Sequence, residues 1–154
     1  MSLEVLQAKI DASIRNASPL AKELFADGHM DAAAVKDFIN RVMSASIATT
    51  GQSGRPHASL TLIACSDDGQ IYFAANRRSV PFRNLQRSPY VALTVDSPEH
   101  GLMAQGQEEL VGYATDLRDT LMPELDALMQ RGRWVPDDWD GAVYRIDIDR
   151  IFAR

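Results

Sequence analysis

The chain has 154 residues, which is about the length of a single domain. Hydrophobic residues make up 45% of the sequence and charged residues 24%, a balance that is typical of a globular protein and excludes disordered, collagen-like and disulfide-dense chains. The formal net charge of −5 argues against a general nucleic-acid or anionic-membrane surface, so we expect neither nucleic acid nor a membrane as a partner.

The first part of the chain has a helical period, because its apolar residues recur at steps of three and four. Ser18 followed by Pro19 predicts the start of a second helix, and Asp31 predicts the start of a third. The apolar stripes of the first and third helices are Leu3, Leu6, Ile10 and Ile14, and Val35, Phe38, Ile39, Val42 and Met43. We therefore expect residues 1–43 to be helical.

From Ser46 onward the period changes to two, which predicts strands. A short helix over residues 79–88 and a second helix, capped by Thr120 and ended by Gly132, interrupt them. The predicted strands are residues 46–50, 57–65, 70–75, 90–96, 102–113 and 142–152. In the last strand, the apolar residues that alternate with charged ones are Tyr144, Ile146 and Ile148. The pattern predicts one domain over residues 1–154, mainly β, in which helices 1–43 pack outside an antiparallel barrel of residues 46–152.

Three further features bear on the compartment and on metal binding. The single cysteine, Cys65, has no partner for an internal disulfide. The first residues lack a secretory signal pattern, and about 18 consecutive apolar residues occur nowhere, so we expect a cytoplasmic protein. The three histidines (His29, His57 and His100) are far apart and lack metal-ligand spacing, so we expect no metal site.

A set of short motifs over residues 46–95 points to a family. In chain order they are GRPHAS at 54–59, a turn at Gly69 before IYF at 71–73, Ser79, RNL at 83–85 and PYVALTV at 89–95. At these spacings the motifs resemble the FMN-binding split-barrel proteins, the pyridoxamine 5'-phosphate oxidase-like superfamily. The match covers about one third of the chain, and the last predicted strand also fits.

The resemblance implies an FMN ring that lies on the strand over residues 57–62 and against Ala74 and Ala75, where small side chains permit close approach. It places the phosphate at Arg77, Arg78 and Ser79, because guanidinium groups, a hydroxyl and a helix N-terminus suit an anion. The predicted cofactor-binding residues are His57, Ala58, Ser59, Leu60, Thr61, Leu62, Ala74, Ala75, Arg77, Arg78, Ser79, Arg83, Gln105 and Trp134.

The resemblance also implies a homodimer, because the family holds its cofactor in a groove between two barrels. Residues near Gln105 or Trp134 of the second chain would then close the site. Ile63 and Leu102 are expected to be exposed apolar residues of the interface.

The sequence departs from the oxidases of this superfamily at three positions. Val80 and Pro81 follow Ser79 where those enzymes have Arg-Lys, and Ala64 occupies the position of a substrate-facing lysine. We therefore expect an oxidoreductase on a small organic substrate that is not a true pyridoxamine-phosphate oxidase. The alternatives are a non-catalytic flavin- or haem-binding protein and a reductase that uses the deazaflavin F420. For haem, His57 or His100 would be the first ligand to test.

Overall fold

The computed structural model describes residues 3–114 and 140–154. Within these ranges the strands and helices alternate in chain order as α1–α3, β1–β3, α4 and β4–β6. The helices are α1 (Glu4–Arg15), α2 (Pro19–Phe25), α3 (Ala32–Val42) and α4 (Val80–Arg87). The strands are β1 (Ser44–Thr50), β2 (Pro56–Cys65), β3 (Ile71–Asn76), β4 (Tyr90–Asp96), β5 (Gly101–Tyr113) and β6 (Gly141–Ala153). The helix predicted after Thr120 lies outside the described residues.

All neighbouring strands are antiparallel, and the order β1-β2-β3-β6-β5-β4 closes into a barrel through pairing of β1 with β4. This confirms the predicted mainly β fold with flanking helices. Side chains on one face of each strand fill the interior, as in β1, where every second residue is buried. Phe73 and Tyr144 stack at 5.1 Å between ring centroids inside the barrel.

Helix α3 covers the end of the barrel where β2 finishes. Asp31 caps the helix as predicted, because its side chain accepts a hydrogen bond of 2.8 Å from the Ala34 N–H. The side-chain amide of Asn40 donates to the Cys65 carbonyl and accepts from the Cys65 N–H, both at 2.8 Å. These are the two bonds that the backbone of a neighbouring strand would otherwise make to Cys65. Of the predicted α3 stripe, Val35, Phe38 and Ile39 are buried, whereas Val42 and Met43 are half-buried. None of the helices in the described ranges is long and apolar enough to cross a membrane.

The last strand shows where simple alternation ends. Ile146 and Ile148, which alternate with charged residues in the sequence, face the core. Asp149 is an extra residue in the ladder with β5, because Gln105 pairs with Arg150 and Gly106 with Ile148. This β-bulge shifts the inward face by one residue. The Ile151 N–H donates to the Ser13 hydroxyl of α1 at 2.9 Å.

Helix α4 lies at the opposite end of the barrel from α3. Its N-cap is Ser79, whose hydroxyl oxygen accepts from the Phe82 N–H at 3.3 Å, and Pro81 occupies the first turn. The buried amide of Asn84 donates to the Thr49 hydroxyl of β1 at 3.0 Å. These contacts fix the start of the helix beside the ends of β1 and β3.

The prediction that Ile63 and Leu102 are exposed is wrong. Ile63 is 1% exposed and Leu102 is 3% exposed, because each occupies an inward position on its strand. Alternation divides β2 into two faces, and the one that carries Ile63 and Cys65 faces the core. The strongly exposed apolar side chains on the strands are instead Leu60, Tyr90, Met103 and Leu110.

Glu108 is an acidic residue on the inward side of β5, opposite Ile146. Burial and the neighbouring charge of Glu109 raise the pKa of Glu108 above its usual value. Burial of the Tyr144 hydroxyl, together with the charge of Glu108, raises the pKa of Tyr144 far above its usual value. An ionised Glu108 therefore opposes folding at neutral pH.

We expect Glu108→Gln to stabilise the protein at about pH 7, by less than about 1 kcal/mol because solvent reaches part of the side chain. A carboxyl whose pKa is raised by folding costs stability as the pH rises through that pKa. The advantage of the variant should therefore shrink as the pH falls from the folded-state pKa of Glu108 toward its lower unfolded-state pKa, and vanish below that. Thermal melts across the acid-to-neutral range test this, with Glu99→Gln as the control, since Glu99 is exposed in the turn before β5. A pH-independent difference would contradict the assignment.

Candidate functional site

The barrel wall opens between β2 and β3. These strands pair over three residues only, from Ile63 opposite Phe73 to Cys65 opposite Ile71. Toward the start of β2 the two strands separate. A cleft of about 240 Å³ lies in the opening. Its lining residues are Ile47, Ser59, Leu60, Thr61, Leu62, Ala74, Ala75, Asn76, Ser79 and Pro81.

The cleft combines apolar surface with unpaired backbone. The residues of β2 before Ile63 have no ladder partner on β3, so their N–H and C=O groups on that side are open to a ligand. One link crosses the gap, where the Thr61 hydroxyl donates to the Ala74 carbonyl. Ala74 and Ala75 place only methyl groups here, whereas Leu60 at the rim is 75% exposed. A flat polar ring is the type of ligand that such walls fit.

A group of hydrogen-bond donors adjoins the cleft where β3 leads into α4. Ser79 lines the cleft and caps the helix with its oxygen lone pair, which leaves its O–H free to donate to a ligand. The preceding residue, Arg78, is exposed, and its backbone N–H donates to Asn76 Oδ1 at 2.9 Å. A hydroxyl, a guanidinium and a helix N-terminus are the donors that a phosphate group requires.

Arg77 points away from the cleft. Its guanidinium carbon lies 4.0 Å from the ring centroid of Tyr113, and its Nη1 lies 3.7 Å from Asp140 Oδ1. The two arginines that look equivalent in the sequence therefore have different surroundings.

Half of the predicted site residues line the cleft. They are Ser59, Leu60, Thr61, Leu62, Ala74, Ala75 and Ser79. The others in the described ranges, which do not line it, are His57, Ala58, Arg77, Arg78, Arg83 and Gln105. Trp134 lies outside the described residues. Three further lining residues were not among the predicted ones: Ile47 on the inward face of β1, Asn76 at the end of β3 and Pro81 in the first turn of α4.

Gln105 lies instead in a shallow groove on the outer face of the barrel. This groove has a volume of about 430 Å³ and also contains Ala48, Tyr90 and Ala92. Arg83 is exposed one turn into α4. The structure thus separates Gln105 from the cleft of the same chain.

The two histidines suggested as haem ligands also lie away from the cleft. His57 sits opposite Thr49, and its Nδ1 is buried with no hydrogen-bond partner in the described part of the chain. The ring of His100 meets Phe38 edge-on at 5.8 Å. Within residues 3–114 and 140–154, no group of three or more His, Cys, Asp or Glu side chains is placed to hold a metal ion.

Solved structures with this fold have names that state different ligands or activities. A pyridoxamine 5'-phosphate oxidase-related, FMN-binding protein from Nostoc punctiforme is 16% identical, with a TM-score of 0.56 over 79% of this chain and 81% of its own. An F420 reductase is 18% identical, with a TM-score of 0.59 over 75% of this chain and 94% of its own. HutZ, a haem storage protein from Vibrio cholerae, is 18% identical, with a TM-score of 0.52 over 77% of this chain and 90% of its own. At these identities the similarity shows the fold alone.

Sequence comparison identifies the family of the chain. The chain is 26% identical over 91 residues to the pyridoxine/pyridoxamine 5'-phosphate oxidase of Chromobacterium violaceum, an alignment that covers 59% of this chain and 43% of that protein. The chain thus spans less than half of that relative's length. The model of the pyridoxamine 5'-phosphate oxidase family matches residues 32–153, from α3 to the end of β6. Because this match covers well over half of the sequence, the chain belongs to the pyridoxamine 5'-phosphate oxidase family.

Proposed function

We propose that the cleft between β2 and β3 binds FMN and that the protein is an FMN-dependent oxidoreductase for a small organic substrate. The observation that carries this proposal is the continuity of an open-edged apolar cleft with a helix N-terminus, because FMN joins a flat ring to a phosphate. When bound, FMN supplies the redox chemistry, and the protein supplies binding and orientation.

Different residues at the cleft are suited to hold the ring and the phosphate of the cofactor. Ala74 and Ala75 leave room for the ring, and the open backbone edge of β2 offers donors and acceptors to its polar rim. Ser79 and Arg78 are suited to hold the phosphate at the start of α4. Thr61 keeps the gap at a fixed width through its bond to the Ala74 carbonyl. This arrangement fits FMN without requiring a metal or a separate acid–base pair.

The substrate is not expected to be pyridoxamine phosphate. Val80 and Pro81 carry no side-chain donor at the positions where the oxidases have Arg-Lys, so phosphate binding rests on fewer groups. Ala64, at the position of the lysine, packs with Tyr72 and Val143 on the outer side of the barrel. These differences favour another substrate within the same family.

Haem and F420 are the competing ligands, since solved structures of the same fold carry those names. Haem requires an axial ligand, and neither His57 nor His100 lines the cleft, which favours a flavin. F420 also joins a flat ring to a phosphate, so the same residues could accept it. A non-catalytic flavin carrier would use the same cleft without a substrate.

A ligand titration followed by an activity assay tests the proposal. The purified protein is titrated with FMN, F420 and haemin, with quenching and absorbance as readouts. We expect FMN to bind more tightly than the other two, and the loaded protein to oxidise NAD(P)H when an electron acceptor is present. Preference for haemin or F420 would overturn the cofactor assignment. FMN binding without turnover on any acceptor would favour the non-catalytic carrier.

We also propose that the protein is a homodimer, formed through the outer face of β1, β2, β4 and β5. Three alanines (Ala48, Ala58 and Ala92) face one another across this surface and leave it flat. Leu60, Tyr90 and Met103 are 75%, 59% and 46% exposed around it. Several large exposed apolar side chains on one face are typical of a protein–protein interface, and a two-fold axis would pair the face with itself. The second chain would then cover the open rim of the cleft at Leu60.

Met103→Glu is expected to weaken dimerisation at least about tenfold, because it would bury a charge in the apolar interface. Met103 does not line the cleft, so the variant tests the interface separately from the cofactor site. Leu20→Glu is the matched control, since Leu20 is 64% exposed on α2. Sedimentation velocity over a concentration series measures the change. A wild-type protein that remains monomeric at micromolar concentration would contradict the proposal.

A further inference from the structure

Arg77 makes three contacts that join separate parts of the chain. Its backbone N–H donates to the Asp140 carbonyl at 3.0 Å, its Nη1 pairs with Asp140 Oδ1 at 3.7 Å, and its guanidinium lies 4.0 Å over the ring of Tyr113. Tyr113 ends β5 and Asp140 precedes β6, and the Ala114 N–H bonds to the Gly141 carbonyl at 2.8 Å. One arginine thus fastens the turn after β3 to two other strands.

The turn that Arg77 fastens is the one that presents the anion-binding groups. Asn76 accepts from the Arg78 N–H through its side chain and from the Ser79 N–H through its carbonyl, both at 2.9 Å. Asn76 also pairs with Gly141 in the ladder between β3 and β6. The position of Ser79 at the start of α4 therefore depends on how firmly residues 76–78 are held against β6.

We propose that Arg77 is a positioning residue, which orients Arg78 and Ser79 for the anion without contacting the anion itself. The stacked ring and the paired carboxylate hold its charge on the side of β5 and β6. Asp140 Oδ1 is buried and has no hydrogen-bond partner in the described part of the chain, so the Arg77 charge is its compensation. This inference rests on the proposed FMN site. It assigns Arg77 to holding the turn, whereas the sequence predicted that Arg77 binds the phosphate directly.

Asp140→Asn gives a test in which the two roles predict opposite results. If Arg77 itself binds the phosphate, removing the negative charge of Asp140 should strengthen FMN binding, because the released Arg77 can then reach the phosphate. If Arg77 is a positioning residue, we instead expect FMN affinity to fall about threefold to tenfold, because the turn loses the ion pair between Arg77 and residue 140. Unchanged or tighter FMN binding by Asp140→Asn would overturn the proposal.

Matched variants separate this effect from charge and from general destabilisation. Asp147→Asn removes the same charge from an exposed aspartate of β6 that pairs with Lys9, and it should leave FMN affinity unchanged. Tyr113→Leu removes the stacked ring without a change in charge and should weaken FMN binding, whereas Tyr113→Phe retains the ring and should rescue it. Riboflavin, which lacks the phosphate, should bind all five proteins alike. A loss of riboflavin affinity equal to the loss of FMN affinity would contradict a role at the anion end.

Hydrogen exchange gives a readout that needs no ligand. In Asp140→Asn the amide protons of Arg78 and Phe82 should exchange faster than in the wild type, while the Ala34 amide at the cap of α3 should be unaffected. Unchanged exchange at Arg78 and Phe82 would overturn the positioning role. If the wild type binds no FMN, the proposed function fails, and the exchange result still decides whether Arg77 holds the turn.

Discussion

Replacing Gly106 with alanine is expected to cost about 3 kcal/mol or more of folding free energy. A Cβ atom at Gly106 would lie 2.0 Å from the Asp147 carbonyl oxygen and 2.9 Å from its carbonyl carbon. Both atoms belong to the backbone of the neighbouring strand, so no side-chain rotation can relieve the overlap. The close approach occurs beside the bulge at Asp149, where β5 and β6 change register.

Gly101→Ala is the matched control for this prediction. Gly101 is the first residue of the same strand, and a Cβ atom there would meet nothing within 4 Å. We expect its stability to stay within about 0.5 kcal/mol of the wild type. Urea unfolding followed by circular dichroism measures both variants. Equal stability of the two variants would contradict the close packing of β5 against Asp147.

The sequence was sufficient to predict the barrel because local periodicity and global fold agree in most elements. In β1 every second residue is buried, and in α3 the apolar stripe packs into the end of the barrel. The Ser79 and Asp31 caps were also predictable, because a cap depends on residues three positions apart. Elements of this kind require no knowledge of distant strands.

Features that depend on distant pairing were not predictable. Alternation in β2 defines two faces but does not say which one is inward, and Ile63 was therefore misassigned. The bulge at Asp149 depends on the register between β5 and β6, which the sequence of either strand alone does not specify. Such features follow from the assembled barrel rather than from local pattern.

The candidate site shows the same division. Most cleft residues of β2 and β3 were predictable because they lie at the end of the GRPHAS motif or directly after the GRPHAS and IYF motifs. The different surroundings of Arg77 and Arg78 were not, since Tyr113 and Asp140 are far from both in sequence. They approach Arg77 only because β6 pairs with both β3 and β5. Gln105 was predicted to reach the site from the second chain of a dimer. It lies on the outer face that we propose as the dimer interface.

Arg78 is the arginine of this turn that is free to bind an anion, because its guanidinium forms no ion pair within the described residues, whereas that of Arg77 is engaged. Charge-assisted bonds to a phosphate contribute about 1.5–3 kcal/mol each. With Val80 and Pro81 offering no side-chain donors, Arg78 should carry a large share of the binding free energy at this end of the cleft.

We therefore expect Arg78→Ala to weaken FMN binding about tenfold to a hundredfold. Riboflavin affinity should not change, because riboflavin has no phosphate. Arg87→Ala is the matched control, since it removes the same charge from the last turn of α4, at the helix end remote from Ser79. Fluorescence quenching measures the affinity of the wild type and of both variants for FMN and riboflavin. Arg83→Ala tests whether the exposed arginine one turn into α4 also contributes. If Arg78→Ala and Arg87→Ala bind FMN equally well, Arg78 does not hold the phosphate, and this prediction is wrong.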